Sequence, residues 1–477
     1  MAINCEHPQT SPVAPWIVGV ATFMQAMDGS VLNNALPSMA VAMGVELLKL
    51  RWVVVAYLLT TALFIPLSGW LADRFGVRRV FCLAIIVFTC GSLACAFSWS
   101  LTSLVASRVL QGLGGALMVP VGRLAVVKIY GHSAELIKVL SLISLPAILG
   151  PVCGPIAGGI LVELASWRWI FLMNIPVGVF TFWLTIKYMP DLLGVKVSRF
   201  DFWGFVVFSS SIAILSLWLT MAPDSGISVN LGIVAIGLSL MAFYWLSLAK
   251  KREALFDIAI FDKPGFLIGI LGNICSRMGS GAMPFMVPLF LQLSMGFSPI
   301  KAGLFMLAQA VGSITGKKLI NIFLPRAGFK TFLQINTISL GLIVCAFSFL
   351  SGQVNEPWLV LTLLVFGTVN SMQFTAMNSY ILIDLDYQQA GTGNSLLSVV
   401  MQVSSNGGVA MGATLLTLFS QFSYKAALKP GPASGPIFGL AFVVIGLVIL
   451  GASIVMSLIS QDADKAKNHE IRPWLEH

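Results

Sequence analysis

Asp28 is the single carboxylate of this chain that falls deep inside a long apolar run. Desolvation opposes its charge, and a neighbouring arginine favours it. A group held between those pressures can take and release a proton as its surroundings change. Charge within a membrane segment is costly, so it marks function by default. A buried aspartate that only pairs or caps is the alternative. Arg108 and Gln111 lie three apart in another apolar run and share a helix face, so Asp28 or backbone carbonyls are natural partners for the guanidinium. An arginine that snorkels outward is the bland reading. Arg123 and Arg277 also fall within apolar runs. If they face a central cavity, it is net positive and suits an anion better than a lipophilic cation. If they snorkel, it does not.

Gly150, Gly154 and Gly158 recur every four residues with Pro151 and Pro155 between them, and Gly159 follows. The glycines form a smooth helix face, and the prolines remove backbone hydrogen bonds and bend the helix. Such a face suits a helix that rocks against a neighbour, although small-residue packing alone also produces it. Asn370, Gln373, Asn378, Gln402 and Asn406 in later spans either line a path or join helices. Phe23, Met24, Phe285 and Met286 either form an adaptable pocket or simply pack.

The elements that carry these residues are membrane helices. Of 477 residues, 57% are hydrophobic and 10% charged, against roughly 25% charged in soluble chains. Mean hydropathy is +0.91. Fourteen apolar stretches are long enough to span: 16–36, 52–72, 80–99, 102–126, 138–162, 169–188, 203–222, 229–248, 265–294, 301–322, 331–351, 357–380, 395–419 and 435–459. The first keeps its aspartate and follows no basic leader, so it reads as a retained helix. An even number puts both termini on one side. With the N-terminus inside, 19 of the 28 Lys and Arg fall on the inner side and 6 outside, which places both termini in the cytoplasm. The net charge of +9 follows from those loops and does not suggest nucleic acid.

Polar stretches 189–202 and 249–264 flank two spans with few polar residues. The expected organisation is therefore a six-helix bundle over 1–190, an inserted pair over 191–262, a second six-helix bundle over 263–460 and a tail over 461–477. Gly328-Phe329-Lys330 echoes Gly76-Val77-Arg78 as a decayed internal repeat. The seven cysteines form no CxxC pair, the histidines lie in loops or tails, and both patterns argue against a metal site. There is no P-loop, HExxH or GxSxG motif and no carboxylate pair placed for hydrolysis. The chain reads as a non-enzyme without cofactor. Its energy source would be an ion gradient.

The run Gly69-Trp70-Leu71-Ala72-Asp73-Arg74-Phe75-Gly76-Val77-Arg78-Arg79 resembles the loop between the second and third helices of the major facilitator superfamily. Its glycines permit a tight turn and close helix approach, and Asp73 can pair with an arginine or cap a helix. Met27 to Pro37 resembles the first-helix signature of the fourteen-span drug:proton antiporters of EmrB/QacA type. Arg108-Val109-Leu110-Gln111-Gly112 matches the RxxQG motif. Gly150 to Gly159 resembles the GPxxGG antiporter motif, with Ser141 in place of an upstream glycine. Trp167 to Gly178 resembles the same family and reads as mainly structural. Ser276–Phe285 and Asn394–Ser398 are most similar to the MdtD-like subgroup, multidrug exporters of the bacterial inner membrane.

The resemblance implies an all-α major facilitator fold and monomeric, proton-coupled export of small molecules by alternating access. It makes Asp28 the proton site and Arg108 its modulator. It makes Gly69, Asp73, Arg74, Gly76, Arg78 and Arg79 a conformational latch, and Gly150, Gly154, Pro155, Gly158 and Gly159 a hinge. Asn33, Gln111, Arg123, Arg277, Asn370, Gln402 and Asn406 are the candidates for the substrate cavity. Export of one anionic metabolite, such as an organic acid or its metal chelate, is the second reading. A membrane sensor that moves nothing is the third.

Overall fold

The computed structural model describes residues 13–130, 135–192, 200–221, 227–249, 254–256, 258–350, 356–383, 385, 387–422 and 434–459. The 461–477 tail, Cys5 and all four histidines lie outside these residues. The described chain is helical. Its elements are α1 Ala14–Met43, α2 Arg51–Phe75, α3 Val77–Ala96, α4 Leu101–Tyr130, α5 Glu135–Leu164, the short α6 Trp169–Leu172, α7 Asn174–Tyr188, α8 Phe202–Met221, α9 Ile227–Phe243, α10 Pro264–Ser280, α11 Met283–Leu289, α12 Pro299–Ala327, α13 Phe329–Ala346, α14 Glu356–Ile383, α15 Tyr387–Phe422 and α16 Gly435–Ser457. Each of the fourteen expected stretches lands on one helical rod. Two rods are broken: α6 and α7 share one, and α10 and α11 another.

Ten of these rods are long and apolar enough to cross a bilayer. α1, α5, α12 and α15 fall outside that set, and of α5 only Leu149–Leu164 counts as a shorter apolar helix. Pairing follows the small residues. α5 packs along α1 and also on α12; α2 packs on α4 and α15; α12 packs on α14, and α13 on α16. α8 leans on α2 and α15, whereas α9 packs mainly on α8. Ser211 Oγ ties these two together by donating to the Gly237 carbonyl at 2.8 Å.

The α2–α3 and α12–α13 connections are one residue each. Gly76 sits at φ 91° and Gly328 at φ 77°, a region that L side chains avoid. The faint echo between the two halves of the sequence is thus the same turn used twice. These turns define one end of the molecule, here the loop end. Gly69 behaves differently from expectation. It lies inside α2 with open space around it, so it makes neither a turn nor a close approach. The cysteines do not all join the core: Cys95 is buried, but Cys90 is exposed and the other four described are intermediate. A lipid-facing surface is as apolar as a core, so composition alone does not separate the two.

Helix contact in the first bundle depends on missing side chains. A Cβ at Gly114 would meet the α3 backbone at Phe88 and Ala84, and one at Gly91 would meet the Gln111 backbone at 2.6 Å. Gly29 has nothing within 4 Å. Gly114→Val is therefore expected to destabilise the folded protein by about 1–3 kcal/mol, while Gly29→Ala stays near wild type. Thermal unfolding in detergent, followed by size-exclusion chromatography, checks the contrast.

Candidate functional site

Asp28 lies midway along α1 with its carboxylate turned into the bundle, only 4% exposed. Arg108, on α4 and 1% exposed, is brought to it: Nη1 donates to Asp28 Oδ2 at 2.7 Å. Oδ1 takes two amides, Gln111 Nε2 and Asn174 Nδ2, each at 2.8 Å. Both amides also donate to Ser92 Oγ on α3, at 2.6 and 3.1 Å. The guanidinium donates further to Gln111 Oε1 at 2.5 Å and, through Nε, to the Val53 carbonyl at 3.3 Å. Its Cζ stands 4.2 Å from the centroid of the Tyr57 ring and 5.9 Å from that of Phe171. Five helices thus meet at one ion pair. A buried pair is tolerable when other hydrogen bonds support it, and here both carboxylate oxygens and the Nε and Nη1 of the guanidinium have partners.

Gln111 was expected in a substrate cavity. It is instead fully buried against the carboxylate, because RxxQG spacing sends Arg108 and Gln111 to the same partner. Asn174 and Ser92 were not singled out from sequence at all. Asn174 sits in the Trp167–Gly178 run that reads as structural, and only the tertiary fold turns its amide inward.

The glycine face of α5 lies along the segment that holds Asp28. Cβ atoms at Gly150 and Gly158 would meet the Met27 nitrogen at 2.8 Å and the Val31 carbonyl at 2.9 Å, and one at Gly154 would strike Ser30 Oγ. Gly159 points the other way, toward Pro299 and Ile300 of α12. Gly303 of α12 reciprocates on the carbonyl of Pro155. α5 therefore slots between α1 and the second half of the chain.

That crossing is stitched by Asn34, which the sequence reading passed over in favour of its neighbour Asn33. Asn34 Nδ2 donates to the carbonyls of Pro155 and Pro299, both at 2.9 Å. Gln292 Nε2, in the turn after α11, donates back to Asn34 O at 2.9 Å and Oδ1 at 2.7 Å. The two halves are thereby joined at the end opposite the loop turns. Asn33 faces elsewhere. It is 8% exposed, and its buried Oδ1 has no partner among the described residues.

Asp73 neither caps α3 nor pairs with a loop arginine. It accepts from Lys128 Nζ, at the end of α4, at 2.7 Å. Arg78 and Arg79 reach Asp191 at 3.7 and 3.4 Å, and Arg74 stacks on Trp70 at 5.5 Å. All of these contacts stay within the first half.

In the second half, Arg277 of α10 lies 3.7 Å from the Phe374 ring centroid and donates through Nε to Asn273 at 3.1 Å. Asn273 in turn donates to Asn378 at 3.2 Å. No carboxylate pairs with Arg277 among the described residues. Arg123 is exposed and also lacks an ion pair there. Asn406 is 1% exposed with both amide atoms unpartnered among the described residues, and Asn370 Oδ1 is likewise buried without a partner there. Gln402 is half-buried. Gln373 is tied to Asn336 and Thr337, so it joins helices. Met24, Phe285 and Met286 are core. A cavity of about 230 Å3 opens between α5 and α12 below their crossing, lined by Pro151, Val152, Met306, Gln309, Ser313 and Lys317. None of the seven expected cavity residues lines it.

Comparison with known proteins gives this geometry a context. The family profile described as Major Facilitator Superfamily matches residues 18–409. A "Putative multidrug resistance protein MdtD" of Cronobacter sakazakii is 41% identical over 461 residues, covering 96% of this chain and 97% of the relative. A protein of the same name from Serratia proteamaculans is 40% identical over 450 residues, covering 94% and 93%. Among solved structures, a POT family transporter in complex with 5-aminolevulinic acid superposes with a TM-score of 0.69 at 15% identity, covering 94% of this chain and 99% of that one. At that identity the likeness is one of fold.

Asn34→Ala removes two of the three hydrogen bonds that join the halves here, leaving the one from Gln292 to the Asn34 backbone carbonyl. The expected result is a shift toward separation of the halves at that end, by about 1–3 kcal/mol. Spin labels replacing the exposed Trp99 and Trp358 would report it as a longer, broader distance distribution.

Proposed function

The chain belongs to the major facilitator superfamily, and from that premise we propose that it is a proton-coupled exporter of small molecules working by alternating access. It is a multi-pass membrane transporter rather than an enzyme. We place it as a monomer in the bacterial inner membrane, with both termini in the cytoplasm, where the loop arginines favour the inner side. The bundles over 1–190 and 263–460 are the moving bodies, and the pair over 191–262 rides beside them.

The observation that carries this reading is the Asp28–Arg108 pair, 2.7 Å long and buried among apolar helices. A proton on Asp28 removes the counter-charge of Arg108. Breaking a buried pair leaves an uncompensated charge worth about 3–5 kcal/mol, enough to drive a rearrangement of α1 against α4. α1 also carries Asn34, six residues on, so a movement of Asp28 is felt at the junction between the halves. The glycine face of α5 gives α1 a track without side chains to shear along. The junction then opens and the loop end closes, with Asp73–Lys128 and Arg78/Arg79–Asp191 holding the first half rigid as a latch. One proton crossing 100 mV gains about 2.3 kcal/mol, which no bound cofactor is needed to supply.

The names of the relatives point to drugs as cargo. A second reading, export of an anionic metabolite, is favoured by Arg277, whose described partners are an aromatic ring and a neutral amide. A guanidinium so placed has donors left for an anion.

Proteoliposome transport under an imposed pH gradient tests both, with cationic dyes and organic anions in parallel. Asp28→Asn is expected to reduce gradient-driven transport to the passive level; full coupling in that variant would sink the assignment of the proton site. Arg277→Gln is expected to raise KM for an anionic cargo about tenfold to a hundredfold and to leave a cationic cargo unaffected. Movement of no solute by the wild type would return the protein to the class of membrane sensors.

A further inference from the structure

The mechanism above uses Asp28 and Arg108, and it leaves Asn174 unexplained. We propose that Asn174 is a positioning residue of the proton site, fixing the Asp28 carboxylate so that protons exchange at Oδ2 and setting the pH at which they do. This inference rests on the reading of Asp28 as the proton site.

Three observations carry it. Asn174 is the first residue of α7, 3% exposed, and its side chain reaches across to two other helices. Its Nδ2 donates to Asp28 Oδ1 on α1 and to Ser92 Oγ on α3, at 2.8 and 3.1 Å. Gln111 Nε2 makes the same pair of bonds from α4. Oδ1 is therefore held by two amides anchored on a common hydroxyl, while Oδ2 faces Arg108 alone. A carboxylate clamped on one oxygen cannot rotate, so a proton can bind only where the guanidinium leaves. The clamp thereby makes proton uptake conditional on the departure of Arg108, which is what coupling requires.

The segment before Asn174 supports the same function. Phe171 lies beside the guanidinium, and Trp167 is 3% exposed with its face under Arg168 at 4.5 Å. Arg168 Nη2 donates to the Ser98 carbonyl at 3.4 Å, pinning the segment to the end of α3. The Trp167–Asn174 run thus closes the site from the end opposite the loop turns, and its last residue grips the carboxylate. Packing alone would account for the aromatic rings. It does not account for an amide aimed at a carboxylate.

The titratable and charged groups facing Asp28 are few. Arg108 comes from α4, Tyr57 from α2 and Cys95 from α3. The α5 positions against this stretch are the glycines already described, and α7 contributes the neutral Asn174. Asn174 and Gln111 are thus the uncharged levers on this carboxylate.

The proton itself is the probe. Infrared difference spectroscopy on the reconstituted protein, titrated in pH, follows the carbonyl band of a protonated buried carboxyl. Its loss in Asp28→Asn assigns the band. Asn174→Leu keeps the branching at Cγ and removes the donor. A donor to the ionised form is lost, so the midpoint is expected to move about one unit toward higher pH, with a changed band position. Asn174→Ser restores a donor and is expected to recover part of the shift. Coupled transport should show the same displaced pH profile, with the maximal rate affected more than KM. Where the leucine variant does not fold, Ser92→Ala removes the shared anchor of both amides and is expected to move the same band. An unmoved midpoint in the folded variant overturns the inference while leaving Asp28 as the proton site. A band that persists in Asp28→Asn overturns the proton-site reading instead.

Discussion

A charge in an apolar bundle has to be matched where it stands, and much of this structure follows from matching one. Asp28 and Arg108 together bring α1, α2, α3, α4 and α7 to a single point. The guanidinium alone is answered by a carboxylate, an amide oxygen, a backbone carbonyl and a tyrosine face. The gain from such a pair barely exceeds its desolvation cost, so it is a poor source of stability. What it provides is conditionality. The arrangement is tolerable with the proton absent and the pair intact, and it must change if either is lost.

The second constraint is geometric. A helix can shift relative to another only where no side chains interlock. α5 offers α1 a row of glycines beside the very residues that flank Asp28, and it offers α12 one more glycine at the crossing. Closure there depends on backbone carbonyls rather than side-chain knobs, with Asn34 and Gln292 supplying the donors. Hydrogen bonds of this kind are directional and break as a unit, which suits a junction that alternates between joined and parted. The α12–α14 contact repeats the device with Gly312, Gly316 and Gly367 against opposing carbonyls.

Sequence revealed the members of these constructions unevenly, for physical reasons. Asp28 and Arg108 stand out because charge is scarce among apolar residues. The glycines of α5 stand out because a period of four marks one helix face, although nothing in that period names the helix they touch. Asn33 was singled out where Asn34 makes the junction, since neighbours on a helix differ by about 100° in direction and an amide gives no hint of which way is inward. Asn174 was hidden by the tryptophans around it, which are explained by their position near a helix end. Asp73 finds Lys128 rather than an arginine, because the end of α4 returns to the loop from 55 residues away. The fold class and the rods themselves were legible because a bilayer demands long apolar runs. The partners of polar groups were not, because pairing is decided after the helices pack.

The two halves of the chain share a turn, at Gly76 and Gly328, yet treat their buried arginines oppositely. Arg108 is neutralised on the spot by Asp28. Arg277 rests on Phe374 and an asparagine chain, and nearby orphaned amides such as Asn406 have no partner within the described protein. A buried polar group left unsatisfied costs free energy, and a molecule can carry that cost only if something supplies the missing contacts during the cycle. In the first half the buried arginine is closed on a carboxylate that two amides also hold. In the second half the buried arginine meets no carboxylate among the described residues. The halves thus differ in how a buried charge is matched, and α5 with its glycine faces is in contact with both.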